Sequence, residues 1–185
     1  LKRLMAYSGV AHAGYLLMGV CALSDLGLQS VIFYLAMYLF TNLVAFLVII
    51  MMIDAQDDER ITGIRGLWKR APYSALFMTI ALFSLIGLPP TAGFWGKFYL
   101  FAAILQQKLY WLALIGVLNT VVSLYYYARI IKAMLLESPA ATAEPYKVRP
   151  VYVALLVALT LPILYFGIWW DPLAKYAKYC AVLWQ

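Results

Sequence analysis

Five long apolar stretches, separated by short polar segments, dominate the hydrophobic pattern of the chain. None of them alternates between apolar and polar positions in the way of a lipid-facing barrel strand. Because backbone groups inside a membrane must bond within their own segment, and about 20 residues cross the hydrocarbon core as a helix, each stretch is predicted to be a transmembrane helix. The predicted spans are residues 4–23, 31–53, 72–105, 109–136 and 151–170.

Composition narrows the class of protein. The 185 residues are 66% hydrophobic and 12% charged, whereas a soluble domain is roughly 45–50% apolar and about 25% charged. These values exclude a soluble globular protein and a disordered chain, and they predict an all-α integral membrane protein. Because Leu1 is followed directly by Lys2, Arg3 and the first apolar stretch, we expect one membrane domain that continues a longer protein.

The basic residues are distributed unequally between the two predicted membrane faces. Ten of the 14 lysines and arginines fall on the side of the first residue, and three fall on the other side. Cytoplasmic loops carry the excess of basic residues, so the chain is predicted to start in the cytoplasm of a bacterium and to end on the periplasmic side of its plasma membrane. This bias accounts for the net charge of +6, and we expect no nucleic-acid partner.

Shorter segments connect the spans. Residues 54–70 contain apolar positions at helical spacing, which fits either a short helix on the cytoplasmic surface or a solvated loop. Residues 137–150 are predicted to be a flexible link because they are rich in small residues and proline. Residues 171–185 carry Leu173 and Tyr176 on an amphipathic pattern, which predicts an interfacial tail.

The third apolar stretch contains a strong helix-breaking motif. Gly87, Pro89, Pro90 and Gly93 fall within seven residues near its middle. Proline donates no backbone hydrogen bond and clashes with the preceding turn, so the motif predicts a discontinuous helix. Non-helical backbone at membrane depth is tolerated where it is buried in protein or lines a wet cavity, and in transporters it marks ion sites. The alternative is a packing kink without a transport role.

Lys97 follows the predicted break and is the candidate proton carrier. A charged lysine in mid-span costs roughly 2.5–3.5 kcal/mol on insertion scales, so it is a functional candidate by default. The nearest predicted turn begins nine residues later at Gln106, about 13 Å away along a helix, which argues against snorkelling to the surface. All eight carboxylates lie at or beyond the span ends, so a counter-charge for Lys97 is expected outside this chain.

His12 is the single histidine and lies in the middle of the first span. Imidazole titrates near neutral pH and suits a proton relay, although a hydrogen-bonded structural histidine is the alternative. Polar residues at helical spacing around it predict the walls of a hydrated path, with helix-to-helix hydrogen bonding as the other interpretation. They are Ser8 and Tyr15 on the first span, Tyr38, Thr41 and Asn42 with Tyr34 on the second, and Asn119 and Ser123 with Tyr126 or Tyr127 on the fourth.

Several of these segments together resemble the antiporter-like subunits of respiratory complex I. The resemblance covers the whole chain and is specific, because it rests on several motifs. The segments are KRLMAYS at 2–8, AHAGY at 11–15, GLPPTAGFWGKFYLF at 87–101 and NTVVSLYYYAR at 119–129.

This resemblance implies a 14-helix subunit built from two inverted five-helix repeats, of which the chain would supply the last five helices. It implies that Lys97 is the terminal lysine of a proton channel and that His12 belongs to its relay. It places the redox chemistry, with FMN, iron–sulfur clusters and quinone, in other subunits, and no cofactor or metal on this chain. The implied partners are adjacent antiporter-like and small membrane subunits and the lipid bilayer.

Two other functions remain open from the sequence. A subunit of a multi-subunit cation/proton antiporter would share the fold, and sodium-dependent transport without NADH would identify it. A membrane scaffold that transports nothing would tolerate loss of the Lys97 charge.

Overall fold

A computed structural model describes residues 1–56, 61–139 and 148–182. These ranges contain helices and their connections and no strand, so the predicted all-α class is confirmed. Besides a short 3-10 helix at Ile61–Ile64, the elements are α1 (Lys2–Cys21), α2 (Asp25–Gln56), α3 (Leu67–Arg70), α4 (Pro72–Ile86), α5 (Ala92–Gln106), α6 (Tyr110–Leu135), α7 (Pro150–Ile168) and α8 (Asp171–Val182).

Four of these helices, α1, α2, α6 and α7, are long and apolar enough to cross a membrane. The fourth apolar stretch and the fifth therefore each form one helix, and α4 is a shorter apolar helix that pairs with α5 across the break. The count of five crossings stays a prediction that depends on α4 and α5 acting together. Helix α2 begins at Asp25, six residues before the predicted span, and its 32 residues exceed the roughly 20 that the hydrocarbon core requires.

The break between α4 and α5 is held by backbone geometry and by tight packing. Gly87 ends α4 with φ 89°, a left-handed conformation that strongly favours glycine. A Cβ on Gly93 would overlap the backbone carbonyl of Ser84, and a Cβ on Gly167 of α7 would overlap the carbonyl of Pro90. The two half-helices and α7 therefore meet at backbone distance, which fixes the position of the break.

Helix α2 lies at the centre of the bundle and contacts α1, α4, α5, α7 and α8. The largest apolar cluster packs the second half of α2 against α4, α6 and α7, with Val48, Met78 and Ile130 fully buried. A second cluster joins α1 to α5 and α6 around Tyr15 and Leu100. The central position of α2 places its polar residues beside both α1 and the helix break.

The connection before α4 differs from both predicted alternatives. Ile64 and Leu67 are fully buried, and the backbone N–H of Gly66 donates to the carbonyl of Ala133 on α6. Arg65 forms a salt bridge with Glu137, 2.9 Å long. The segment is therefore a folded connection packed into the core, since its apolar residues find a partner in α6 that the local sequence does not reveal. Residues 57–60 of this connection lie outside the described ranges.

The C-terminal helix α8 packs on the first half of α2. Ala174 and Ala177 are buried there, and the side-chain amide of Gln29 donates to the carbonyl of Ala174. Tyr176 and Tyr179 are exposed on the opposite side of the helix. The small alanines form the face against the protein with Leu173 packed beside them, whereas Tyr176 of the predicted pattern is exposed. Residues 140–147 of the predicted link and 183–185 of the predicted tail lie outside the described ranges.

Candidate functional site

Lys97 lies on α5 just past the break and is 6% exposed. Its ammonium donates to the backbone carbonyls of Leu85 and Ile86, each at 3.0 Å. These carbonyls belong to the last turn of α4, where helical oxygens lack internal partners and the helix dipole is negative. Lys97 therefore caps the first half-helix from the second, and the negative helix end partly compensates its charge.

Tyr15 of α1 provides the other partner of the ammonium. The Nζ atom of Lys97 lies 4.7 Å from the centre of the Tyr15 ring, within the range of a cation–π interaction. The salt bridges that join Arg65 to Glu137 and Lys175 to Asp171 do not involve Lys97. Among the described residues, Lys97 is held by two backbone carbonyls and an aromatic face, and the counter-charge expected outside this chain stays a prediction.

His12 is buried on α1, where hydroxyl groups lie against both of its ring nitrogens. Its Nδ1 atom is 2.5 Å from the hydroxyl of Tyr34 on α2, and its Nε2 atom is 3.2 Å from the hydroxyl of Tyr127 on α6. The Tyr127 hydroxyl also hydrogen-bonds to Ser8. The three helices α1, α2 and α6 are therefore joined through the imidazole, which is 3% exposed.

A small cavity of about 10 Å³ extends from His12 to the helix break. Its volume is close to the roughly 10–15 Å³ that one water molecule needs. Thr41 and Ser84 hydrogen-bond across it at 3.1 Å. Leu85, whose carbonyl accepts a hydrogen bond from Lys97, is one of its lining residues. The residues that line it are His12, Tyr34, Met37, Tyr38, Thr41, Ser84, Leu85 and Gly93.

Some of the other residues predicted to line the path take part in this hydrogen-bond network, and Asn42 lies outside it. The Tyr15 hydroxyl donates to the carbonyl of Gly116 at 3.0 Å, and the side chain of Asn119 also interacts with it. The Ser123 hydroxyl bonds to the Asn119 carbonyl and accepts from Tyr126. Asn42, although half-buried beside Thr41, does not join the network among the described residues.

Sequence reasoning missed Ser84 and Thr120. Thr120 shares a hydrogen bond of 2.6 Å with the Tyr15 hydroxyl, and Ser84 lines the cavity. The spacing of Gly116, Thr120, Ser123 and Tyr127 at steps of four, three and four is the signal that would have found Thr120, because it places small and polar residues on one face of α6. Ser84 carries no such signal, since a serine in an apolar helix commonly bonds its own backbone.

This arrangement can transfer protons. Hydroxyl groups and a neutral imidazole each donate and accept hydrogen bonds, and a buried ammonium can lose its proton. Within residues 1–56, 61–139 and 148–182, no group of three or more His, Cys, Asp or Glu side chains is placed to hold a metal ion. The hydroxyl, imidazole and ammonium groups of the site are of the kind that exchange protons.

Comparison with known proteins places the chain in a family of transmembrane proteins. Residues 1–123 match the family described as NADH:quinone oxidoreductase/Mrp antiporter, transmembrane. A relative from Anaeromyxobacter sp. (strain Fw109-5), NADH-quinone oxidoreductase subunit N, is 49% identical over 96% of this chain and 36% of its own length. The chain thus spans little more than a third of that relative.

Two solved structures share the fold. A chain of respiratory complex I from Thermus thermophilus with bound aureothin aligns with a TM-score of 0.80 and 30% identity, over 95% of this chain and 39% of its own. A chain of the Mrp complex from Dietzia sp. DQ12-45-1b aligns with a TM-score of 0.85 over 95% of this chain and 41% of its own, and its 23% identity supports the fold alone. With the family match covering about two thirds of its residues, the chain belongs to the NADH:quinone oxidoreductase/Mrp antiporter transmembrane family.

Proposed function

We propose that the chain forms one half of a proton channel in the membrane part of an NADH:quinone oxidoreductase. Protons pass between the region of His12 and Lys97, while the redox reactions take place on other subunits. The observation that supports this most directly is a buried lysine at a helix break, held by backbone carbonyls, with a small cavity between that break and a buried histidine.

The partners of Lys97 suit a group that gains and loses a proton. An ammonium without any partner at membrane depth is strongly disfavoured, whereas an ammonium locked to a buried carboxylate resists deprotonation. The carbonyls of Leu85 and Ile86 with the Tyr15 ring lie between these limits. Lys97 can therefore hold a proton during one stage of a pumping cycle and release it in another.

The route to Lys97 begins at the histidine. Tyr34 and Tyr127 lie at its two ring nitrogens, so a proton entering on one side of the imidazole can leave from the other. From there the cavity, with Thr41 and Ser84 on its wall, continues to the break. One water molecule in the cavity would complete the connection with hydrogen-bond partners on both sides.

The predicted orientation and partners follow from the same function. The first residue lies in the bacterial cytoplasm and α8 lies at the periplasmic surface of the plasma membrane, as the distribution of basic residues indicates. Other antiporter-like and small membrane subunits surround the chain, and FMN, iron–sulfur clusters and quinone bind elsewhere in the complex. Further polar partners for Lys97 are expected outside this chain.

A second candidate is cation/proton antiport, because the matching family is described as NADH:quinone oxidoreductase/Mrp antiporter. Sealed vesicles containing the intact complex distinguish the two functions. We expect NADH oxidation to drive proton uptake at the same rate with sodium or choline as the cation. Proton movement that requires a sodium gradient and ignores NADH would replace the first function by the second.

Replacing His12 by glutamine tests the relay. Glutamine retains hydrogen-bonding groups but cannot exchange a proton near neutral pH, so we expect NADH-driven proton uptake to fall several-fold in vesicles with a normal amount of assembled complex. The matched control is Asn42→Ala, because Asn42 is polar and half-buried on the same bundle but outside the network. Wild-type uptake by His12→Gln would show that the histidine is structural.

A further inference from the structure

We propose that Tyr15 is a positioning residue for Lys97. The face of the Tyr15 ring stabilises the charged ammonium in place of a carboxylate and so sets how readily Lys97 releases its proton. This inference depends on the proposed function, since it assigns a role to Tyr15 in the same site.

The geometry of Tyr15 fixes its ring beneath the ammonium. The side chain is 2% exposed, and its hydroxyl is tied to α6 through Gly116 and Thr120. The ring of Phe101 packs against the Tyr15 ring at 6.4 Å between centres. Because both the hydroxyl and the ring have fixed neighbours, the ring face stays in position whatever the state of Lys97.

The hydrogen bonds of the ammonium leave one direction for the ring. An ammonium has three donors, of which two point to the carbonyls of Leu85 and Ile86. The Tyr15 ring lies within 4.7 Å of the same nitrogen and offers the negative face of its quadrupole. A ring attracts the charged form of lysine and has no comparable attraction for the neutral amine, so its effect is on the proton equilibrium.

Other ionisable groups lie on the helices packed against α5. Helix α4 carries Tyr73 and helix α7 carries Tyr152 and Tyr165, all of them exposed or half-buried. Those near the site are His12 on α1, Tyr34 and Tyr38 on α2, and Tyr126 and Tyr127 on α6. The Tyr15 ring is therefore the aromatic group that contacts the charge itself.

Stepwise fluorination of the ring tests the role of Tyr15 at nearly constant volume. In the intact complex, position 15 is changed to phenylalanine and then to phenylalanine carrying one, two or three ring fluorines, each of which weakens the negative face. Protons pumped per NADH oxidised are measured against pH. Tyr15→Phe keeps the ring but loses the hydroxyl bonds to α6, so it serves as the reference with which the fluorinated variants are compared.

As fluorines are added at position 15, the pH above which pumping is lost is expected to become progressively lower. A weaker ring face makes the ammonium less stable, so Lys97 gives up its proton at a lower pH. The highest pH at which the complex still pumps therefore moves down. A desolvated cation–π interaction predicts a total shift of about one pH unit. The matched control is the same fluorinated series at Phe101, which contacts Tyr15 and not the ammonium, and no shift is expected there.

An unshifted profile across the series at position 15, or an equal shift at Phe101, would overturn the positioning role. Tyr15→Leu gives a second test, because it removes the ring: the highest pH at which the complex pumps is expected to move down, as in the fluorinated series. If Lys97→Met itself pumps normally, the proposed function fails. If Lys97→Met abolishes pumping and the fluorinated series shows no shift, only the role of Tyr15 fails.

Discussion

Replacing Lys97 by methionine is expected to reduce NADH-driven proton uptake about ten-fold or more while the complex still assembles. Methionine matches the length and flexibility of the lysine stem but carries no proton. A ten-fold loss corresponds to about 1.4 kcal/mol in the barrier. A supported charge in the membrane is several kcal/mol more stable than an unsupported one, so the site can account for an effect of this size. The measurement is the initial rate of proton uptake by sealed vesicles.

The matched control for this change is Lys175→Met. Lys175 is an exposed lysine on α8, paired with Asp171 at the surface, and its loss is expected to leave proton uptake unchanged, because exposed ion pairs contribute little. Assembly of both variants is compared by the amount of intact complex extracted from the membrane. Normal uptake by assembled Lys97→Met would make Lys97 a structural charge and favour the scaffold interpretation.

Adding a single methyl group at Gly93 is expected to destabilise the region of the break strongly. The Cβ of alanine would overlap the Ser84 carbonyl, which is backbone and cannot turn away as a side chain can. Overpacking of this kind costs typically about 1–3 kcal/mol, and the displaced turn would also carry Leu85 and its carbonyl away from Lys97. We expect a lower apparent melting temperature of the complex together with weaker proton pumping.

Gly14→Ala is the matched control for Gly93→Ala. A Cβ at Gly14 meets no atom within 4 Å, so the same chemical change should leave the melting temperature and the pumping rate as in the wild type. Equal stability of the two variants would show that the half-helices are not packed at backbone distance around the break.

The sequence predicts the position of the break because its cause is local. Proline removes a backbone donor and glycine permits left-handed φ, so Gly87, Pro89 and Pro90 determine where α4 ends without reference to the rest of the fold. The long spans are predictable for a similar reason, since the thickness of the membrane sets their length. The start of α2 at Asp25 was missed because it lies before the apolar stretch.

The partners of Lys97 could not be predicted from the sequence. Its contact with the carbonyls of Leu85 and Ile86 depends on the angle between two half-helices, and no local pattern specifies that angle. The Tyr15 ring comes from another helix, about 80 positions earlier in the sequence. Backbone oxygens and an aromatic face hold Lys97 among the described residues, and the sequence pattern of charged residues does not reveal either of them.

The packing of the connecting segments was equally hidden. Ile64 and Leu67 have the spacing of a surface helix, but α6 offers them a buried position. On α8, the sequence does not indicate that the small alanines, and not the larger Tyr176, pack on α2. In both cases the contact is decided by the neighbouring helix, and a helical pattern by itself identifies the face without identifying its partner.

The most direct test of proton exchange at Lys97 is the number of protons pumped per NADH oxidised after Lys97→Arg. Arginine keeps a positive charge at the site and holds its proton at any physiological pH, so it separates a fixed charge from an exchangeable proton. We predict an assembled complex whose proton-to-NADH ratio falls well below that of the wild type. An unchanged ratio would contradict the account, because a fixed charge would then be sufficient at this position.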